Sequence, residues 1–260
     1  MDDTNPLLQH DPVAGVRVLT LNRPERLNAL NGTLTANLLA AIAACSQDHA
    51  IKVVIIRAAG RAFCAGADLK WLASGVLADH HAHLQFQDDL AGLCNAIEAA
   101  PQVVIGSVQG FALAGGLELL LACDMIVAAE GAEMGDEHIK RNLIPGGGGS
   151  QRLPRKIGLA RGLYHLLTGK RITGLEAVQM GLACAAVLAE DLEQTTLDLA
   201  TSLAKTDGKA LSTTKELVRR GMELPLTEAL WLERWMQYRY RNASEAMDKG
   251  VADFAQKRTQ

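Results

Sequence analysis

The pattern of apolar and polar positions alternates between short continuous apolar runs and longer stretches with helical spacing. The runs "VVIIRA" (53–58), "VVIGSV" (103–108) and "MIVAAE" (125–130) consist mainly of branched residues and alanine, as expected for strands buried on both faces of a parallel sheet. Each run belongs to a segment that combines a strand, a loop and a helix. This weak internal repeat predicts an α/β architecture with its loops gathered on one side.

The two ends of the chain follow other patterns. The segment "PVAGVRVLTLNRP" (12–24) predicts a β-hairpin that turns near Gly15. From about residue 190 onward the spacing predicts consecutive helices, which hold two of the three tryptophans and two of the three tyrosines. We therefore expect a core at residues 1–189 and a helical region at 190–260 that docks on this core or on a neighbouring subunit.

Composition narrows the class of protein. The 260 residues carry a net charge of −3, which gives no reason to expect nucleic acid or a membrane as a partner. The five cysteines form no C-x-x-C pair, so we expect neither a disulfide framework nor a zinc site, and a cytoplasmic location. No signal peptide or membrane span is predicted. The cluster "DHHAH" (79–83) is predicted to be a solvated helix start rather than a metal site.

Two loops of small residues are candidates for binding an oxyanion. The segments "CAGADL" (64–69) and "LAGGLE" (113–118) each lie between an apolar strand and a helix start, where backbone N–H groups lack partners within the helix. Small side chains let a ligand oxygen approach these groups closely. Close backbone packing explains either loop alone, whereas the matched pair favours a functional site.

Glu118 is the candidate general acid or base. It lies in the apolar segment "GGLELLLACD" (115–124), where a lone carboxylate is costly to bury unless it is paired or functional. Burial would raise its pKa towards the range that suits proton transfer near neutrality. A carboxylate satisfied by structural hydrogen bonds is the alternative.

Four motifs in order along the chain resemble the enoyl-CoA hydratase/isomerase family, the crotonase superfamily. They are "NRPERLNAL" (22–30), "AFCAGADLK" (62–70), "GFALAGGLELLLACD" (110–124) and "IPGGGGSQRLPR" (144–155). The resemblance implies a crotonase-like spiral of ββα units with a C-terminal helical appendage, assembled as a homotrimer or a dimer of trimers. It also implies an acyl-CoA thioester as substrate, with no metal and no separate cofactor.

The same resemblance assigns roles to particular positions. The N–H groups of Ala67 and Gly115 would form the oxyanion hole, and Glu118 would be one of two acid/base groups. The residues that would contact the CoA thioester are Arg26, Leu27, Ala65, Ala67, Asp68, Leu69, Lys70, Gly115 and Lys257.

One departure from the family concerns the second acid/base group. The hydratases of this family use a second glutamate in a stretch similar to "FGxPE", and alignment from Glu118 without gaps places His138 there. Glu137 would take that place only after a shift of one residue. We expect an enoyl-CoA hydratase, a lyase, in which Glu118 and His138 share the proton transfers. An isomerase, another reaction on CoA thioesters such as hydrolysis or decarboxylation, and a non-catalytic acyl-CoA-binding protein are the alternatives.

Overall fold

Apolar runs and the short segments between them form ten strands in the described part of the chain. This computed structural model describes residues 5–257, except for the side chains of Asp253, Gln256 and Lys257. The strands are β1 (Leu7–Val13), β2 (Val16–Leu21), β3 (Val53–Ala58), β4 (Ala62–Cys64), β5 (Val103–Val108), β6 (Phe111–Leu113), β7 (Met125–Ala129), β8 (Glu133–Gly135), β9 (Ile172–Thr173) and β10 (Ala185–Val187). Six form a larger sheet in the order β1-β2-β3-β5-β7-β10, and four form a smaller sheet in the order β4-β6-β8-β9.

The larger sheet contains the predicted apolar runs as its central strands β3, β5 and β7, which run parallel to one another. Every residue of β5 is buried, which is the reason that its sequence is uniformly apolar or small. The predicted hairpin is β1 and β2, and it turns at Gly15 with a φ of 83°. β1 begins at Leu7, earlier than predicted, and it includes Pro12. An edge strand tolerates this proline because its N–H side is not paired.

The smaller sheet was not predicted: the sequence pattern places the segments of β4 and β6 in loops and assigns no element to most of β8. Each has only three residues, too few for an apolar period to be recognised. These strands pair in parallel, with Phe111 opposite both Ala62 and Glu133. The chain therefore passes from the larger sheet to the smaller one three times, from β3 to β4, from β5 to β6 and from β7 to β8. This spiral confirms the predicted α/β class.

The helices surround the two sheets. They are α1 (Gly32–Gln47), α2 (Leu69–Trp71), α3 (His80–Ala99), α4 (Gly115–Ala122), α5 (Gly149–Ile157), α6 (Leu159–Thr168), α7 (Gly174–Gln179), α8 (Leu192–Ala204), α9 (Gly208–Gly221), α10 (Leu226–Ala243) and α11 (Ala246–Lys257). A π-helical segment, Leu72–Val76, follows α2, and a 3₁₀ turn, His138–Arg141, follows β8. None of the helices described is long and apolar enough to cross a membrane.

The chain after residue 190 is helical, as predicted, and its helices differ in burial. α8 packs on β3, β5 and β7, whereas α10 pairs with α9 and has only one buried residue, Met236. Trp231, Trp235 and Tyr238 of α10 are exposed. The division of the chain at residue 190 into a core and a helical region stays a prediction.

Candidate active site

Parallel pairing of β4 with β6 brings the two loops of small residues together. A Cβ added to Gly66 would lie 2.9 Å from the carbonyl oxygen of Leu113 and 3.3 Å from the backbone nitrogen of Gly115. Gly66 has a φ of 93°, so its lack of a side chain serves both the conformation and the close approach. The second loop therefore passes directly over the first.

The backbone N–H groups of Ala67 and Gly115 have no acceptor among the residues that the structure describes. Ala67 is held in a short parallel bridge with Leu30, whose N–H donates to Gly66 O at 2.8 Å and whose carbonyl accepts from Asp68 N at 2.8 Å. Since the residues on either side of Ala67 make this bridge, its own N–H points away from it. Gly115 begins α4, where an N–H has no partner within the helix.

Glu118 lies in α4 with none of its surface exposed. Its Oε1 accepts hydrogen bonds from Gly147 N at 2.8 Å and Gly149 N at 2.9 Å. The carboxylate thus lies at the start of α5, where unpaired N–H groups and the helix dipole favour a negative charge. Its Oε2 has no hydrogen-bond partner in the described part of the chain. Burial raises the pKa of Glu118, although the hydrogen bonds from the two glycines oppose this rise.

His138 begins the 3₁₀ turn that follows β8, and its imidazole contacts a second buried carboxylate. Its Nδ1 lies 2.9 Å from Oδ1 of Asp136, which is 1% exposed. Burial lowers the pKa of His138, but the hydrogen bond and the negative charge of Asp136, together with the charge of Glu118, outweigh burial and raise it. The imidazole is therefore more easily protonated than it would be in water.

Glu137 has a different environment from its two neighbours. Its Oε1 accepts from Arg171 Nε at 2.7 Å and from Lys140 Nζ at 2.7 Å. Burial would raise the pKa of Glu137, but the hydrogen bonds and charges of these two cations lower it. Both cations hold this carboxylate in its ionised form.

An open cavity of about 450 Å³ lies against these groups. Its lining includes the predicted residues Arg26, Leu27, Ala65, Ala67, Asp68, Leu69, Lys70 and His138. Leu113 and Ala114 also line it, Gly115 follows them directly, and Glu118 lies one helical turn further along α4. Neither Gly115 nor Glu118 is itself among the lining residues. Asp68 has a structural part as well, because its carboxylate accepts from Trp71 N at 3.1 Å and pairs with Arg23 at 3.1 Å. The predicted contact of Lys257 rests on a side chain outside the described residues.

Known proteins resemble this chain over nearly its whole length. The family model for enoyl-CoA hydratase/isomerase matches residues 12–260. The chain belongs to the enoyl-CoA hydratase/isomerase family. It is 36% identical over 252 residues to the probable enoyl-CoA hydratase echA8 of Mycobacterium bovis, covering 97% of this chain and 95% of that protein. It is 35% identical over 244 residues to 2,3-dehydroadipyl-CoA hydratase of Escherichia coli, covering 94% of this chain and 93% of that protein.

Solved structures of this family have the same fold. A crystal structure of enoyl-CoA hydratase from Bacillus anthracis matches with a TM-score of 0.93 at 31% identity, over 97% of each chain. A structure of enoyl-CoA hydratase from Mycobacterium smegmatis matches with a TM-score of 0.92 at 28% identity, over 98% of this chain and 97% of that chain. The predicted membership of the crotonase superfamily and its spiral of ββα units is confirmed.

Several residues at the site were missed by sequence reasoning. Asp136 was not singled out, although a carboxylate two positions before a candidate catalytic histidine was a visible signal. Gly147 and Gly149 were not singled out within the motif at residues 144–155, although both donate to Glu118 and α5 begins at Gly149. Arg171, which binds Glu137, is 34 positions away, and no local pattern connects the two.

Metal ligands were not predicted, and the described residues contain no group of three or more His, Cys, Asp or Glu side chains that could hold a metal ion. In the cluster at residues 79–83, Asp79 caps α3 by accepting from His81 N at 3.0 Å and Ala82 N at 3.1 Å. The cluster therefore begins a helix, as predicted.

Proposed function

We propose that the protein is an enoyl-CoA hydratase, a lyase that adds water to the double bond of a 2-enoyl-CoA thioester. One observation carries the proposal: the unpaired carboxylate oxygen of buried Glu118 lies one helical turn after Gly115, whose unpaired backbone N–H lies against Gly66, the residue before Ala67. An acid/base group next to two free donors suits a reaction that passes through an enolate. The names of the relatives support the same activity.

The thioester oxygen is the group that the two N–H donors stabilise. Donors from Ala67 and Gly115 hold the negative charge that develops on this oxygen when a nucleophile adds to Cβ. They cost little reorganisation during the reaction, because β4, β6 and the bridge to Leu30 already fix the loops.

Glu118 and His138 divide the two proton transfers. Ionised Glu118 takes a proton from water through Oε2, and the hydroxide adds to Cβ while the electron pair of the double bond moves onto the thioester oxygen. Protonated His138 then gives a proton to Cα as the thioester carbonyl reforms. Glu118 is left protonated and His138 neutral, and proton exchange with solvent restores both. The geometry supports His138 over Glu137 in this role, since Glu137 is held by Arg171 and Lys140.

Binding of the CoA part follows from the rim of the cavity. Arg26 and Lys70 line it, and neither side chain has an ion-pair partner among the described residues. They offer positive charge for the CoA phosphates, while Leu27, Ala65 and Leu69 offer apolar contact and Ala67, Asp68 and Gly115 offer backbone contact. Lys257 remains a further proposed contact. No separate cofactor is required by this mechanism, since CoA is part of the substrate.

The test is a panel of CoA thioesters incubated with the protein in ¹⁸O-labelled water and followed by mass spectrometry. A hydratase incorporates one labelled oxygen at Cβ. A shifted double bond without label would instead identify an isomerase. Loss of CoA or of carbon dioxide would identify a hydrolase or a decarboxylase. Tight binding of CoA thioesters without turnover of any of them would identify a binding protein.

We propose in addition that the chain forms a homotrimer or a dimer of trimers through its C-terminal helices. The exposed aromatic residues of α10 support this, because monomers rarely expose large apolar patches. Sedimentation at several concentrations, compared between the wild type and Trp235→Ala, tests it. A cytoplasmic location is supported by the five free cysteines.

A further inference from the structure

Asp136 is a buried carboxylate to which the mechanism above gives no part. It is 1% exposed, its Oδ1 lies 2.9 Å from Nδ1 of His138, and its Oδ2 has no hydrogen-bond partner among the described residues. A buried carboxylate that only supports the fold is normally satisfied by cations or several donors. Asp136 has one ring nitrogen as its partner, which points to a function connected with that ring.

The backbone between Asp136 and His138 brings their side chains together. Glu137 has a φ of 34°, and the N–H of His138 donates to the carbonyl of Asp136. This tight turn places the side chains of Asp136 and His138 on the same side of the backbone and close together. In an extended strand the two side chains would also share a side, but they would lie further apart. The carboxylate of Glu137 is directed instead to Arg171 and Lys140. The strained φ therefore serves the contact between Asp136 and His138.

We propose that Asp136 is a positioning residue that holds the Nδ1–H of His138 and so leaves Nε2 as the atom that exchanges a proton with the substrate. The inference rests on the proposed hydration. An ionised carboxylate has no hydrogen to donate, so the hydrogen of this contact belongs to Nδ1. Nε2 makes no hydrogen bond to any described residue, and the imidazole lines the cavity. The neutral ring is then fixed in the one tautomer that can accept a proton at Nε2.

Glu118 adjoins this pair of residues. A Cβ added to Gly149 would lie 2.5 Å from Oδ2 of Asp136 and 3.2 Å from Oε1 of Glu118. Both carboxylates therefore lie against the same glycine, and His138 is the cation that both attract. Protonated His138 compensates the buried negative charges of Asp136 and Glu118. Removal of either carboxylate should therefore lower the pKa of His138.

Other charged groups near His138 are already engaged or lie further out. On its own turn, Lys140 binds Glu137, and exposed Arg141 lines the outer cavity. From the segment before β9, Arg171 binds Glu137 and Glu133. On α6, His165 contacts the carbonyl of Lys170 at 2.8 Å. On α3, His83 lies 3.4 Å from Gln87, whose amide packs against Gly146. Asp136 and Glu118 are the charges that act on the ring most directly.

The experiment compares the wild type with Asp136→Asn, Asp136→Ala, His138→Gln and the double variant Asp136→Asn/His138→Gln. Proteins labelled with ¹⁵N-histidine are titrated by NMR, and the His138 signals are assigned by their absence in His138→Gln. The rate of hydration of crotonyl-CoA is measured as a function of pH for each variant. Asp124→Asn is the matched control, because it removes a mostly buried carboxylate from an ion-pair network under α9.

We expect the wild-type ring to carry its hydrogen at Nδ1 when neutral. In Asp136→Asn and Asp136→Ala, the pKa of His138 should fall, since burial then acts with less opposition, and kcat should drop about 10²-fold with a small change in KM. The alkaline limb of the pH–rate profile should move to lower pH. In the His138→Gln background, Asp136→Asn should cost less than about threefold, since the two residues act as a unit. Asp124→Asn should lower Tm and leave the His138 titration in place.

An unchanged tautomer and titration of His138 in both Asp136 variants would overturn the inference, even if both lose activity through a damaged fold. Equal losses from Asp136→Asn in the wild-type and His138→Gln backgrounds would overturn it as well. Failure of the proposed function has a separate signature: a wild-type protein that shows the expected His138 titration and hydrates no enoyl-CoA thioester.

Discussion

Two clusters of acidic side chains with little exposed surface differ in whether cations compensate their charge. Under α9, Asp124 pairs with Lys215 at 2.8 Å and with Arg219 at 2.8 Å, and it also accepts from Val104 N at 2.8 Å. Near the loops of small residues at 64–69 and 113–118, called the oxyanion loops below, Glu118 and Asp136 each keep one oxygen without a partner in the described residues. Burial consequently raises the pKa of Glu118, while the carboxylate under α9 stays within a network of cations.

The size of a cavity does not indicate which of the two regions is the candidate active site. A cavity of about 670 Å³ lies under α9, against about 450 Å³ at the oxyanion loops. What distinguishes them is the state of the polar groups, since unsatisfied buried groups cost stability and persist where the chemistry needs them. The difference separates a charge network in which Asp124 binds cations of α9 from a pair of carboxylates that each keep one unpaired oxygen, as the proposed proton transfers require.

The largest expected effect comes from removing the titratable group of the uncompensated cluster. Glu118→Gln keeps the shape of the side chain and should lower kcat by about 10²–10⁴-fold, because the amide cannot take a proton from water. Steady-state kinetics on crotonyl-CoA measure the loss, and CoA binding by calorimetry with the melting curve serves as the control for folding. Turnover near the wild-type level would remove Glu118 as the acid/base group.

The next effect concerns the N–H donors that are proposed to bind the thioester oxygen. Ala67→Pro deletes an N–H that has no acceptor in the described structure, and loss of one such donor typically lowers kcat by about 10²–10³-fold. The bridge to Leu30 uses Gly66 and Asp68, so Ala67→Ser, which keeps the N–H, is the matched control. Thermal unfolding shows whether proline disturbs the loop. Equal and mild losses in both variants would contradict the role of this N–H.

A smaller loss of rate is expected from His138→Gln, about 10²-fold, with a change in the shape of the pH profile. Glu118 must be ionised, so activity should fall as the pH drops through its raised pKa. His138 must be protonated, so activity should fall as the pH rises through its raised pKa. The alkaline limb should disappear in His138→Gln and persist in Glu137→Gln. The reverse result would place the second acid/base group at Glu137.

The smallest effect on turnover should come from the compensated cluster. Lys215→Met leaves Asp124 with Arg219 as its cation, and should lower the free energy of unfolding by about 3 kcal/mol. The value of kcat should change less than about twofold, because Asp124 and Lys215 line the cavity under α9 and neither lines the cavity beside Ala67 and His138. Urea unfolding and kinetics on the same sample test both parts. A large loss of kcat with an unchanged midpoint would show that the two clusters are not separate.

Some of the architecture follows directly from local patterns. The runs that became β3, β5 and β7 are mostly apolar because most of their residues are covered on both faces. The same reasoning singled out Glu118, since a carboxylate within an apolar helix has a cost that is visible without coordinates. The matched loops around Ala67 and Gly115 were found from small residues at strand ends.

Other parts depended on contacts between distant residues. β4, β6 and β8 are short, and they become strands only because they pair with one another. Asp136 and Glu137 are adjacent in the chain, yet one contacts His138 and the other binds Arg171. No pattern of residue types predicts that separation, which follows from a left-handed φ at Glu137.

By itself, the sequence determined the α/β class, the family, the central strands and the carboxylate of Glu118, because each rests on apolar periodicity or on a local motif. Only the tertiary structure decided which charges are compensated. Electrostatic compensation depends on distance in space, and the spiral brings β8, α4 and the start of α5 together from three separate parts of the chain. The contacts of His138 with Asp136 and of Glu137 with Arg171 form only where these segments come together.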